Sequence, residues 1–301
     1  MKTQSYKLNF KKNLSTLKLT YLKYFKTLIN ILFLAILLFF IYDKELLLTL
    51  KNNLSLNFLF TLFFLELTKI LIIYYINFNL FNTLIKISFK KIVFINSLNS
   101  LSNFLITTSG FFLHSIFLKF KFKLNLKDFV YLNFFRLIIG SIVFCFFGFA
   151  FSVLQSPKIS LFFCIFLILL IYFFFYKIEK IKNKLFYRFS KIRIIIKKIE
   201  KKIFIFFLIY YFLSLSFNYF LFINFKITES LYVVAILTSI IYLSVIFMVN
   251  FVGFGIGEFL ALLYAGISNL NYDNLLLVIF ISKIIFVMLN IFIYLISCKQ
   301  K

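Results

Sequence analysis

Apolar stretches of about 20 residues, separated by short lysine-rich segments, recur along the whole chain. This is the length that an α-helix needs to cross the hydrocarbon core of a bilayer. Hydrophobic residues make up 63% of the chain and charged residues only 14%, too few to cover a soluble domain of this size. The sequence therefore predicts an all-α polytopic membrane protein.

Seven of the apolar stretches are predicted to be full transmembrane helices. They lie at roughly 28–42, 56–76, 128–151, 159–176, 203–222, 230–249 and 274–296. Together they predict a single membrane domain over residues 28–298, preceded by a basic segment at 1–27 and followed by a short tail at 299–301.

Two further apolar stretches are interrupted by polar residues or glycines. The first, roughly 92–118, contains the polar run Asn96–Asn103 and then Ser109-Gly110. The second is the glycine run Asn250–Glu258 and its continuation to Gly266. Irregular backbone at membrane depth is tolerated only where it is buried in protein or lines a wet cavity. We therefore expect two broken or re-entrant helices.

The lysines indicate the topology. Residues 1–26 are basic and precede the stretch 28–42 without a small-residue cleavage site, which predicts an uncleaved signal anchor with a cytoplasmic N-terminus. Lysines flank the first interruption on both sides, at 86–91 and at 119–127, so both of its ends are predicted to be cytoplasmic and the segment re-entrant. Too few charges flank the second interruption to orient it, and the side of the C-terminus stays open.

The most basic stretch, residues 177–202, is predicted to be a cytoplasmic linker. Its apolar residues recur at alternating spacings of three and four, typical of an amphipathic helix or of an extension of both flanking spans. It is either a topogenic loop on the inner leaflet or a surface that gathers anionic lipid head groups. The net charge of +25 thus indicates membrane topology and no nucleic-acid partner.

The candidate binding site combines the second interruption with two cations inside spans. An intramembrane carboxylate, Glu258, follows Gly253, Gly255 and Gly257. Arg136 and Lys283 each lie in the span after an interruption, which suggests two structural repeats. A broken helix exposes unpaired N–H groups that favour a phosphate or carboxylate, and the two cations add positive charge. Alternatively, Glu258 stabilises its own helix and the glycines serve only close packing.

Three other ionisable residues inside apolar stretches are candidate substrate contacts. Glu66 and Lys69 are three residues apart, so they either pair on one helix face or exchange partners with Arg136 or Lys283. His114 is either an interior hydrogen-bonded residue or part of the site. No spacing of cysteine and histidine indicates a metal, no cofactor motif is present, and no catalytic constellation is found, so we expect no enzyme.

The motifs resemble those of a known family. The segment Gly253-Phe254-Gly255-Ile256-Gly257-Glu258, with Gly266 and Lys283 after it, is similar to the C-terminal signature Gly-Leu-Gly-Val-Arg-Glu of the lysylphosphatidylglycerol synthase transmembrane family, the flippase-like membrane region. Upstream, Ser109-Gly110 and His114 lie where that family has Gly-Glu-x-x-Arg, and Arg136 falls on its Glu-Arg pair. The chain departs from the family at four positions. Gly257 replaces Arg, Phe111 and Phe135 replace Glu, and Asn250 or a neighbour stands where a Pro is common.

The resemblance implies a flippase-like, multi-pass inner-membrane protein of the cell envelope that translocates or binds a phospholipid or glycolipid with a charged head group. Its implied partners are an anionic or glycosylated membrane lipid and a separate glycosyltransferase or lipid-modifying enzyme. The alternative function is a non-catalytic membrane partner of a glycosyltransferase in lipid-linked glycan synthesis. Full synthases of this family carry an aminoacyltransferase domain after the membrane region, and we expect no aminoacyl transfer by this polypeptide alone.

Overall fold

The computed structural model describes residues 55–105, 109–155, 157–172, 184–244, 250–251 and 254–298. The chain divides into two compact units, Met1–Phe58, of which only the last residues are described, and Leu59–Lys301. The described secondary structure is helical apart from one short strand pair. In chain order it comprises α1 (Leu56–Asn82), α2 (Phe89–Leu105), α3 (Ser109–Phe122), α4 (Leu126–Val153), α5 (Pro157–Tyr172), α6 (Lys184–Asn224), α7 (Leu231–Ser244), β1 (Asn250–Phe251), β2 (Phe254–Gly255), α8 (Ile256–Ile267) and α9 (Tyr272–Cys298).

Four of the described helices are long and apolar enough to cross a membrane. They are α1, α4, the Ile199–Asn224 part of α6, and the Asn274–Cys298 part of α9. The prediction of seven full spans is therefore corrected. Two of the predicted spans form shorter helices, α5 with 16 residues and α7 with 14, and the predicted span at 28–42 lies outside the described residues. The helix α6 also continues the fifth predicted span back through the described part of the basic linker.

The helices align so that most described lysines lie at one end of the bundle. The end of α1 meets the start of α4, where Phe81 stacks on Phe129. The start of α2 meets the ends of α3 and α9. This lysine-rich end is defined by Lys86, Lys90, Lys91, Lys119, Lys121, Lys123, Lys127, Lys201 and Lys202.

The opposite end carries few cations. Phe151 at the end of α4 contacts Tyr232 at the start of α7, with 6.0 Å between ring centroids. Asn274 at the start of α9 donates to the Phe225 carbonyl just beyond α6. Lys158 and Lys226 are the described lysines here. The charge difference between the two ends is the pattern that orients helical membrane proteins.

The first stretch that was predicted to be interrupted folds as a helical hairpin. The polar run Asn96–Asn103 does not break the helix as predicted, because it lies inside α2. The helices α2 and α3 contact each other along their length, from Lys91 over the Phe122 ring at the open end to Ser109 Oγ donating to the Ser102 carbonyl near the tip. With 17 and 14 residues they are about 25 and 21 Å long, so neither reaches across a hydrocarbon core of about 30 Å. Both outer ends lie at the lysine-rich end.

The second interrupted stretch forms another hairpin, from α7 to α8. The two helices pack together, and between them Asn250 and Phe251 pair antiparallel with Gly255 and Phe254. The 12 residues of α8 span only about 18 Å. The helix α7 starts at the opposite end, and α8 finishes there beside the start of α9. This hairpin therefore enters the bundle from the face opposite to the first.

Each hairpin is followed by a long helix, and each hairpin packs against the long helix of the other half. The lengths are 17, 14 and 28 residues for α2, α3 and α4 and 14, 12 and 27 for α7, α8 and α9. The first hairpin packs on α9 through α2, and the second packs on α4 through α7. Both turns before the long helix contain a residue of positive φ, Lys123 at 57° and Asn269 at 54°. The two halves thus share the order of a short hairpin followed by a long helix, and the strand β1 brings the tip of one hairpin against α2 of the other.

Candidate functional site

Arg136 lies near the middle of α4 and is partly buried among the helices. Its Nη1 donates a hydrogen bond of 2.8 Å to Asn77 Oδ1 on α1. Asn77 is a neutral partner and is itself buried. Among the side chains that the structure describes, no carboxylate forms a salt bridge with Arg136. A guanidinium that lies between helices and has a neutral hydrogen-bond partner can bind an anionic group favourably.

Two tyrosines complete the surroundings of the guanidinium. Tyr210 on α6 and Tyr242 on α7 are close enough to Arg136 to interact with it electrostatically. The Tyr242 hydroxyl reaches this position by lying against Gly140, one turn beyond Arg136 on α4. Any larger residue at 140 would occupy the space of that hydroxyl. Glycine thus serves a close approach here, and it brings α7 of the second hairpin to the cation of the first half.

Glu66 and Lys69 form the local pair that their spacing predicts. Lys69 Nζ lies 2.5 Å from Glu66 Oε2, and both side chains are largely buried. Lys69 also lies over the Phe217 ring of α6, 4.3 Å from its centroid. Glu66 interacts electrostatically with Tyr210, which in turn faces Arg136. The ion pair and Arg136 therefore belong to one polar cluster between α1, α4, α6 and α7, with a formal charge of +1.

His114 lies beside this cluster in an aromatic setting. It is 3% exposed, and its ring is 5.1 Å from those of both Phe81 and Phe129. Its Nε2 has no hydrogen-bond partner among the described residues. Arg136 is near enough to interact with the ring electrostatically.

The remaining predicted site residues lie in the second half of the chain. Lys283 is on α9 and partly exposed, at a place in that helix corresponding to Arg136 in α4. Gly255 ends β2, while Gly257 and Glu258 have their backbone in the first turn of α8, where a carboxylate is favoured by the helix dipole. Gly253 and the side chain of Glu258 lie outside what the structure describes.

Three residues of the cluster carried no distinctive sequence signal. Asn77, Tyr210 and Tyr242 lie in apolar helices, where single amides and phenols are common. Only their joint approach to Arg136, from three different helices, singles them out. Within the described ranges, no group of His, Cys, Asp or Glu could hold a metal ion.

The cluster places the Arg136 guanidinium beside neutral hydroxyl and amide groups. These groups come from both halves of the chain. Comparisons with protein-family models, with curated proteins and with solved structures give no match to this chain.

Proposed function

We propose that this protein is a flippase-like translocator of a phospholipid or glycolipid with a charged head group. The observation that carries the proposal is the pair of helical hairpins that enter from opposite faces and meet through β1 and α2. Transporters of inverted-repeat construction place their substrate between discontinuous helices near the bilayer midplane. A head-group phosphate would bind Arg136 beside Tyr210 and Tyr242. Lys283 would act as a second counter-charge, and Glu258 would contact a cationic or hydroxylated part of the head group.

We further propose a topology with the lysine-rich end in the cytoplasm of an inner membrane. The helix α5 leaves the opposite end at Pro157, and the basic linker that follows it belongs at the lysine-rich end, so α5 with the residues after it would cross the bilayer. The sequence alone predicts the cytoplasmic N-terminus and the span at 28–42. With that span the proposed count is six crossings and two re-entrant hairpins, since α7 is an arm of the second hairpin.

Reconstitution into vesicles tests translocation directly. A fluorescent phosphatidylglycerol analogue is placed in both leaflets, and a membrane-impermeant reductant quenches the outer pool. Vesicles with the wild-type protein should lose nearly all fluorescence, whereas those with Arg136→Gln should stop near half. Asn133→Ala, on the same helix, is the matched control. Translocation by Arg136→Gln at the wild-type rate would overturn the role of Arg136.

The alternative from the sequence, a non-transporting partner of a glycosyltransferase, gives a different result in the same assay. Neither the wild-type protein nor any variant would then move the fluorescent lipid, and the protein would copurify with a transferase. A deletion strain would lose the glycolipid altogether instead of retaining it in the inner leaflet.

A further inference from the structure

A groove opens on the outer surface of the bundle where α1, α2 and α9 meet. Its volume is about 280 Å³, close to the lower end of the range for small-ligand sites, about 300 Å³. Leu71, Phe292 and Ile296 are exposed, so the groove is open along its side. Since α1 and α9 are long and apolar enough to cross a membrane, this open side would face lipid. The lining consists of Leu67, Leu71, Lys90, Val93, Phe292, Ile293, Ile296 and Ser297.

The two polar residues of the lining lie at one end of the groove. Lys90 is in the first turn of α2 and Ser297 is in the last turn of α9, both at the lysine-rich end. Leu67 and Leu71 lie further from that end, on α1, which finishes there at Asn82. The groove therefore has a cation at its lysine-rich end and an apolar wall away from it.

The charge at this end of the groove is not neutralised within the described part of the chain. Lys90 is exposed and forms no salt bridge with any residue that the structure describes. A second cation lies one helical turn beyond Leu71, because Lys202 of α6 donates a hydrogen bond of 3.0 Å to the Tyr75 hydroxyl. The Tyr75 ring contacts that of Phe89, the residue before Lys90, with 6.0 Å between the ring centroids. A negative group at this end would be attracted by both lysines.

A phospholipid with a net negative charge matches both parts of the groove. Its acyl chain suits the apolar wall, and its phosphate suits the ammonium group of Lys90. The lining residues of α9, 292–297, extend over about 8 Å along the helix axis. The groove therefore receives the part of an acyl chain nearest to the head group. A phosphatidylcholine would gain less, because Lys90 repels its trimethylammonium group.

We propose that the groove between α1, α2 and α9 binds one anionic phospholipid, with an acyl chain against the apolar residues of its lining and the head-group phosphate at Lys90. This lipid connects the first hairpin to the two long helices beside it. The site contains no residue of the Arg136 cluster, so the lipid held here is additional to the one that the proposed function would move.

Quenching of one tryptophan by brominated lipids tests the site. The chain contains no tryptophan, so Phe292→Trp introduces the only reporter, at an exposed position in the groove. The purified protein is reconstituted into mixtures of phosphatidylglycerol and phosphatidylcholine with the same acyl chains, and one of the two lipids is brominated on those chains. Phosphatidylglycerol should bind beside this tryptophan with an affinity about fivefold above that of phosphatidylcholine, as one cation near the membrane surface would produce.

Lys90→Gln in the Phe292→Trp chain should remove this preference. Lys91→Gln is the matched control and should keep the preference, because it removes an equal charge from the next residue, whose Nζ lies over the Phe122 ring of α3. Leu169→Trp places the reporter on the exposed surface of α5, outside the groove, and there the two lipids should quench almost equally. Each substituted residue is exposed, so the variants should fold.

An equal loss of preference in Lys90→Gln and Lys91→Gln would overturn the site, since it would indicate attraction to the lysine-rich end as a whole. Weak quenching of Phe292→Trp by both lipids would also overturn it, because a second copy of this chain or another protein would then cover the groove. A preference that depends on Lys90, in a protein that moves no lipid, would support the site and contradict only the proposed translocation.

Discussion

The hydroxyl of Tyr242 lies against Gly140, in the position that a Cβ atom of residue 140 would take. The Tyr242 ring stacks on Phe144, one turn further along α4, with 3.7 Å between the ring centroids. Through these two contacts, α7 of the second hairpin packs against α4, the long helix of the first half. They also place a phenol beside Arg136.

Gly140→Ala should destabilise the protein by about 1–3 kcal/mol, because the added methyl group overpacks this contact. The new Cβ would also approach Phe207 Cε1 to 2.8 Å. Thermal unfolding in detergent measures the change. Tyr242→Phe in the same chain should recover part of the loss by removing the hydroxyl. A Gly140→Ala variant as stable as wild type would contradict the close approach.

Removing one member of the Glu66–Lys69 pair should cost about 3–5 kcal/mol, because it leaves a buried charge without its partner. Glu66→Gln and Lys69→Met are the single variants. The double variant should lose far less unfolding free energy than the two single variants lose together, because no lone charge remains. A double-mutant cycle from chemical unfolding measures the coupling, and simple additivity would refute a buried pair.

The orientation of the first hairpin predicts which side of the membrane each lysine faces. With Cys145, Cys164 and Cys298 replaced, a single cysteine at Lys91 or Lys123 should react with an impermeant thiol reagent in inside-out vesicles only. A cysteine at Lys158 or Lys226 should react in intact cells. Labelling of positions 91 and 123 from opposite sides would mean that residues 89–122 cross the bilayer.

The positive-φ residues in the turns before α4 and α9 predict unequal gains in stability when each is replaced by glycine. Lysine at φ 57° is strained, so Lys123→Gly should stabilise the protein by about 1 kcal/mol. Asparagine tolerates this region, so Asn269→Gly should change stability by only a few tenths of a kcal/mol. Lys123→Ala keeps a Cβ and removes the charge, and it separates the two effects. Equal gains at both positions would contradict the explanation.

The sequence predicted a helical fold, but the prediction that the polar run Asn96–Asn103 interrupts its helix was wrong, because this run lies inside α2, which continues to Leu105. The glycines after Asn250 do mark an interruption, the strand pair before α8. The Glu66–Lys69 pair was also predictable, since three residues of helix bring two side chains to one face. These last two predictions succeeded because each depends on neighbours in the sequence.

The number of spans and the partners of Arg136 depend on contacts between distant segments. The described part of the stretch 230–249, α7, is as apolar as a span, and only its packing against α4 and α8 shows that it is an arm of a hairpin. Asn77 and Tyr242 lie on different helices from Arg136, and no local pattern joins them. The role of Gly140 likewise depends on a ring from the other half of the chain.

The exchange of packing partners has a consequence for synthesis. The first hairpin is made early, but its partner α9 leaves the ribosome roughly 170 residues later, on the order of 10–30 s at about 5–20 residues per second. During that interval the amides and hydroxyls of α2 have no α9 to cover them. A helix made late thus completes the burial of one made early, so a nascent chain stalled before α9 exposes a polar face of α2 to lipid, where quality-control proteases can recognise it.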